Sequence, residues 1–259
     1  MTRSALQITW SVWQALFLRE ALTRVAAGRA AWFWLLAEPI FHVSYVVLIF
    51  TAIRVRHIGG VDVAVWIMVG MLAFFAFRRT GTQVSNAIRA NQALFTYRQV
   101  KPVDTALVRA GLEGFLMVLV ALVLLAGMGL LEHDTVPGNP LAVLGAFAAL
   151  WSLGLGFGLV TSVLSELVPE FERVLGFLMM PLYLISGVVF PLSSVPQPYR
   201  EWLMFNPVAH GIEAVRVGFA PGYHAVPELD TFYLYTSALA LVFLGLALQR
   251  RFAPRMQTL

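Results

Sequence analysis

Two ionisable residues sit four apart inside an apolar run, Glu38 and His42 in AEPIFHVSY. At helical spacing they share one face, and Pro39 between them frees a backbone carbonyl one turn earlier. An ionisable group within an apolar span is costly, so it faces a bundle interior or a water-filled cavity rather than lipid. A gating role and a plain hydrogen bond to a neighbouring helix stay open for Glu38. Glu113, in a later apolar run, is read first as a structural hydrogen-bonding residue. An intramembrane hydrolase would need these three groups to converge with a nucleophile, a thin basis for an enzyme.

Other chemistries lack their parts. A phosphate-binding loop needs Gly-Lys-Ser/Thr, but the single lysine, Lys101, stands between Val100 and Pro102, so the chain has no usual route to ATP hydrolysis. His42, His57, His133, His210 and His224 form no HExxH pair, and no Gly-x-Ser-x-Gly elbow occurs. Cysteine is absent, which removes disulfides, thiolate metal sites and cysteine nucleophiles. The reading is a non-enzyme with no catalytic, cofactor or metal residues of its own.

The elements that must position these residues belong to a membrane. Hydrophobic residues make up 59% of the 259 and charged residues 12%, against roughly a quarter charged in soluble domains. The apolar runs predict an all-α integral membrane protein with six spans: Ala31–Ile53, Val61–Phe77, Gly111–Leu131, Leu141–Leu164, Val174–Leu192 and Phe232–Leu248. Each is near the ~20 residues a helix needs to cross the hydrocarbon core. Residues 1–30 are read as an N-terminal cytoplasmic interfacial helix and 31–259 as the transmembrane domain. An N-terminus inside leaves only Arg54, Arg56, Arg200 and Arg216 of the 18 lysines and arginines outside. That bias puts both termini in the cytoplasm.

Leu6, Trp10, Trp13 and Phe17 form one helical stripe, with Gln7, Ser11 and Gln14 on another face. This fits a helix lying on the membrane surface, with packing against protein as the alternative. Trp32, Phe33 and Trp34 at the mouth of the first span read as an aromatic belt or as a surface for stacking sugar rings. Ser85–Lys101, with Arg89, Leu94, Phe95, Tyr97, Arg98 and Lys101, reads as an amphipathic cytoplasmic helix whose apolar knob docks a soluble partner or rests on headgroups. Gly154, Gly156 and Gly158 allow close helix approach, mainly within the chain.

Phe190–Phe219 is Pro-rich and aromatic, neither a clean span nor a polar loop, and predicts a re-entrant or interfacial element. Asn206 would cap a helix that starts at Pro207. Arg216, in apolar company with Trp202, Phe205 and Phe219, needs an acceptor, either Glu213 three residues earlier or a backbone carbonyl.

These residues resemble a family. Glu38-Pro39-Ile40-Phe41-His42 is similar to the EP-x-x-H stretch of polysaccharide-exporting permeases. Ser186–Pro191 followed by Asn206-Pro207-x-x-His210-x-x-Glu213-x-x-Arg216 looks like the closing signature of ABC-2-type permeases. The resemblance covers essentially the whole chain and points to capsular polysaccharide exporters (KpsM-like), with O-antigen permeases (Wzm-like) as near kin. One departure is Pro169-Glu170-Phe171-Glu172-Arg173, where such permeases often carry Arg-Asp.

The resemblance implies a homodimer in the bacterial inner membrane, with the pathway between the two copies. It implies two cytoplasmic ATPase subunits (KpsT-like) that hold ATP and magnesium, a periplasmic co-polymerase (KpsE-like) and a lipid-linked polysaccharide cargo. Trp32, Trp34, Glu38 and His42 become path or gate residues. Arg89, Leu94, Phe95, Tyr97 and Arg98 become ATPase-coupling residues on a coupling helix. Trp202, Asn206, Pro207, Glu213 and Arg216 belong to a pair of periplasmic re-entrant helices. Another cargo for the same kind of permease, such as O-antigen, teichoic acid or a drug, is the alternative, and a non-transporting membrane scaffold is a second.

Overall fold

The computed structural model describes residues 4–257 apart from 27, 29, 54, 55, 98 and 169; the side chains of residues 5, 31, 32 and 254–257 lie outside the description. Ten helices follow in chain order: α1 (Ala5–Ala26), α2 (Ala31–Ala52), α3 (Val63–Ser85), α4 (Ala87–Ala90), α5 (Pro102–Leu130), α6 (Pro140–Leu167), α7 (Phe171–Ile185), α8 (Tyr199–Leu203), α9 (Pro207–Phe219) and α10 (Thr231–Gln257). A hairpin, β1 (His57–Ile58) and β2 (Val61–Asp62), precedes α3, with Gly59 and Gly60 turning it at φ +59° and +88°. Only glycine takes two successive positive φ values at little cost.

Local chemistry starts the helices. Asp62 Oδ1 accepts from the backbone N–H groups of Ala64 (2.9 Å) and Val65 (3.3 Å) to cap α3. Asp104 Oδ2 accepts from Lys101 N at 3.0 Å, with Pro102 opening α5. Asn139 Oδ1 takes Ala142 N at 3.1 Å before Pro140, and Asn206 Oδ1 takes Val208 N at 3.0 Å before Pro207. Each Asx-Pro start meets two needs at once, since the side chain accepts an orphan N–H and proline removes another.

Helix α3 is the centre. Every residue from Val63 to Phe77 is buried, and α3 packs on α2, α5, α6 and α9. On its other side α6 packs against α10. Glycines set these approaches. A Cβ on Gly154 would lie 2.5 Å from the Phe77 carbonyl oxygen, one on Gly158 would lie 2.7 Å from that of Gly81, and one on Gly156 would lie 2.6 Å from Val242 N. The Gly154–Gly158 pair therefore serves packing within the chain.

Helices α2 and α7 are peripheral by comparison. Phe41, Tyr45, Leu48 and Ile49 of α2 point outward, and Met179 is the only buried residue among those described in α7. Among the described residues five helices are long and apolar enough to cross a membrane: Phe33–Ala52, Val63–Ser85, Pro102–Leu130, Pro140–Leu167 and Thr231–Ala253. In place of one continuous helix over the expected span Val174–Leu192, the chain forms the fifteen-residue helix Phe171–Ile185. At 1.5 Å per residue it reaches roughly 22 Å, short of the ~30 Å hydrocarbon core. The apolar run continues, but the helix stops because Gly187 turns at φ +72° and Pro191 follows.

The segment Ser85–Lys101 also differs from the expected amphipathic helix. It holds the end of α3, the four-residue α4, a 3-10 turn at Gln92–Thr96 and an extended Tyr97. Ile88 and Phe95 are buried with Val163 of α6, beside Leu248 and Phe252 of α10. Burial against two other helices overrides the local period.

Candidate functional site: three polar centres on one bundle

The motif Asn-Pro-x-x-His-x-x-Glu-x-x-Arg places a polar group at each third position of α9. Asn206 caps the helix, and its Nδ2 donates to Ser186 Oγ at 2.8 Å. His210 Nδ1 accepts from Asp230 N at 3.0 Å, which leaves Nε2 to donate to the Met204 carbonyl at 2.6 Å. Glu213 accepts from the Tyr223 hydroxyl at 2.9 and 3.0 Å and from Arg216 at 3.2 Å. Arg216 donates to the carbonyls of Gly187 and Val188, both at 2.9 Å, and its guanidinium stacks on the Trp66 ring. Gly70 makes room, since a Cβ there would lie 2.3 Å from an Arg216 nitrogen.

His210, Glu213 and Arg216 are all buried. The expected Arg216 acceptors are therefore both present, Glu213 and backbone carbonyls. Trp202 stands apart from them, 62% exposed and edge-on to Tyr199 at 5.5 Å.

A second centre lies at the other end of α3. Glu113 is fully buried and accepts from Arg24 of α1 and Arg79 of α3, the latter at 3.4 Å. Glu20 pairs with Arg24 at 3.3 Å and with Arg109 at 2.8 Å. Nearby, Trp13 Nε1 donates to Asp104 at 2.9 Å. So α1 is tied to α3 and α5 by charge, with Trp10, Trp13 and Phe17 lining a cavity against Leu107 and Val108 of α5, while Leu22 and Val25 on its other side stay exposed. Protein packing and an apolar outer face coexist on this helix. Apart from Glu113, this cluster was not legible in the sequence, because Arg24 and Glu113 are 89 positions apart.

Glu38 and His42 do share a wall. With Pro39, Phe75, Arg78 and Arg79 they line a cavity of about 190 Å³ between α2 and α3. The His42 ring lies 5.5 Å from Phe75, edge-on. Arg78 joins this wall, and in the sequence nothing but its place among the inner charges marks it. Trp34 is exposed and edge-on to Phe33 at 5.5 Å. The Trp32 side chain and Arg98 lie outside the described residues.

The residues expected to couple to an ATPase do not form one surface. Phe95 is 8% exposed, so it is a core residue and not the expected apolar knob, whereas Tyr97 is 66% exposed. Leu94 is partly buried. Arg89, partly exposed, reaches along the surface to the ends of α6 and α7: Nε donates to Glu166 at 3.1 Å, Nη2 to the Ser165 carbonyl at 2.8 Å, and Nη1 to Glu172.

A helical bundle with five apolar, membrane-length helices and a buried closing motif defines an integral membrane protein. Residues 11–220 match the ABC-2 type transporter family, and the chain belongs to it. It is 35% identical over 250 residues to the polysialic acid transport protein KpsM of Escherichia coli, covering 96% of each chain. It is 27% identical over 242 residues to the capsule polysaccharide export inner-membrane protein CtrC of Neisseria meningitidis serogroup A, covering 92% of this chain and 90% of that one. The capsule polysaccharide export inner-membrane protein BexB of Haemophilus influenzae is 26% identical over 251 residues, covering 97% and 94%.

Proposed function

We propose that this chain is the membrane subunit of an ATP-driven exporter that moves lipid-linked capsular polysaccharide across the bacterial inner membrane to the periplasm. The observation that carries this reading is the end-to-end likeness to KpsM, 96% of both chains. In this reading α7 with its following turns completes a sixth crossing, both termini are cytoplasmic, and α8 and α9 are the re-entrant pair. Two copies enclose the path. The outward apolar faces of α2 and α7 are suited to a second copy and to lipid.

Trp32, Trp34, Glu38 and His42 lie along the path, with Arg78 beside them. A separate KpsT-like ATPase binds ATP and magnesium and docks on the cytoplasmic segment through Leu94 and Tyr97, and a KpsE-like co-polymerase joins on the periplasmic side. Another cargo for the same machinery is the second reading, since nothing in α2 or α3 names the sugar.

The test is complementation. In a capsule-forming strain lacking its own permease, this chain with its ATPase restores surface polysaccharide. Polymer retained in the cytoplasm despite a membrane-inserted, ATPase-bound complex would move the reading to another cargo. Failure to recover any ATPase with the chain would point to a scaffold.

A further inference from the structure

Helix α7 is attached unlike its neighbours. Its sides contribute little, since Met179 is its only buried residue among those described. Its two ends are held by arginines from elsewhere in the fold. At the Phe171 end, Arg89 of α4 bridges two helix ends: it donates to Glu166 and to the Ser165 carbonyl in the last turn of α6, and to Glu172 in the first turn of α7. At the Ile185 end, Arg216 of α9 holds the Gly187 and Val188 carbonyls at 2.9 Å each.

We propose that Arg89 is a positioning residue that couples the cytoplasmic segment Ser85–Lys101 to α7, so that α7 is driven as a strut between two arginine clamps. This rests on the exporter reading above, which makes that segment the place where the ATPase pushes.

Three observations support it. All three nitrogens of the Arg89 guanidinium are engaged on acceptors within the chain, so Arg89 serves an internal joint. A forked contact to carboxylates fixes orientation as well as distance, which suits a joint that must transmit displacement. The body of α7 carries few buried contacts, and segments that move are drawn from that weakly held class. Ile88 and Phe95, buried on α6 and α10, keep the rest of the segment seated while Arg89 reaches the two helix ends. The acidic stretch Glu166–Glu172 thereby has a role: it is the receiving half of the joint.

The chain has no cysteine, so a single Phe177→Cys change, once spin-labelled, gives one nitroxide per copy on an exposed position of α7. The chain is co-purified with its ATPase in lipid nanodiscs, and the label's mobility and oxygen accessibility are read with and without a non-hydrolysable ATP analogue. The nucleotide is expected to shift the signal in the otherwise unmodified complex. In Glu166→Ala/Glu172→Ala the shift is expected to fall at least about threefold. ATPase recovery and ATP turnover stay within about twofold of the parent.

A full shift in the double variant overturns the proposal, as does no shift in the parent. Loss of the ATPase from the double variant overturns it too, because the loop is then a docking surface. If the double variant is not recovered from membranes, Glu172→Ala alone repeats the comparison, and an unchanged shift there overturns the proposal. A parent chain that recovers no ATPase defeats the exporter reading, which is distinguishable from all of these.

Discussion

The guanidinium carbon of Arg216 lies 3.5 Å from the centre of the Trp66 ring, deep between α9 and α3. A buried cation of this kind is held by its acceptors together with the ring face, and removing it strands Glu213. Arg216→Ala is expected to destabilise by about 3–5 kcal/mol, since an unpaired buried charge is left behind. Arg216→Met with Glu213→Gln should cost less than either change alone. Thermal unfolding in mild detergent measures both, and an additive double variant would count against the pairing. Where Arg216→Ala protein survives in the membrane, export should drop while the ATPase still co-purifies.

Tyr97 and Phe95 separate docking from folding. Phe95 is in the core, so Phe95→Asp should lower the yield of folded chain through a buried unpaired carboxylate. Tyr97→Ala should leave yield unchanged and weaken recovery of the ATPase, as loss of an exposed aromatic anchor does at interfaces. Affinity purification with quantified ATPase recovery distinguishes the two, and normal recovery with Tyr97→Ala would place docking elsewhere.

Why one of these aromatics was misjudged is physical. Leu94, Phe95 and Tyr97 look alike in a local window, and only Val163 and the C-terminal part of α10 decide which is covered. The end of α7 failed for a related reason: Val188, Val189 and Phe190 are as apolar as a span, yet Gly187 has turned the backbone away. Hydropathy measures transfer to an apolar setting and not backbone direction. The start of α9, by contrast, was legible because Asn206-Pro207 acts on its own neighbours. The need of Arg216 for an acceptor was equally legible, but the identity of carbonyls 28 and 29 positions earlier was not.

Glu38 is the sharpest test of the path. It lines the cavity with His42 and Arg78 and is exposed to it. Glu38→Gln should preserve membrane yield and dimer formation and reduce surface polysaccharide, measured by immunoblot of intact cells. Normal export would make Glu38 a replaceable hydrogen-bonding residue, and loss of the protein would make it structural.

On the loop before α10, Glu228 bridges back to Arg200 at 2.8 Å and accepts from Gln197 at 2.6 Å. Burial alone would raise its carboxyl, but the Arg200 guanidinium, through hydrogen bonds and charge, overcomes this and holds it below the usual range. A lowered folded value means the bridge stabilises fully above the ordinary glutamate range near ~4.3. That contribution is lost as pH falls through the folded value. Hydrogen exchange around Tyr199–Leu203 should therefore stay slow on acidification until pH drops below that range. Glu228→Gln should exchange faster at neutral pH and lose this acid dependence.

The bare glycines of α6 have a consequence for how such a chain can vary. Only hydrogens separate Gly154 and Gly158 from α3, and Gly156 from α10, so three helix axes are spaced by residues that have nothing to give up. The outward faces of α2 and α7 have no such neighbour within the chain. Sequence drift is thus channelled outward, and the surface exposed to lipid, to a second copy or to cargo can be rewritten while the frame behind it keeps its dimensions.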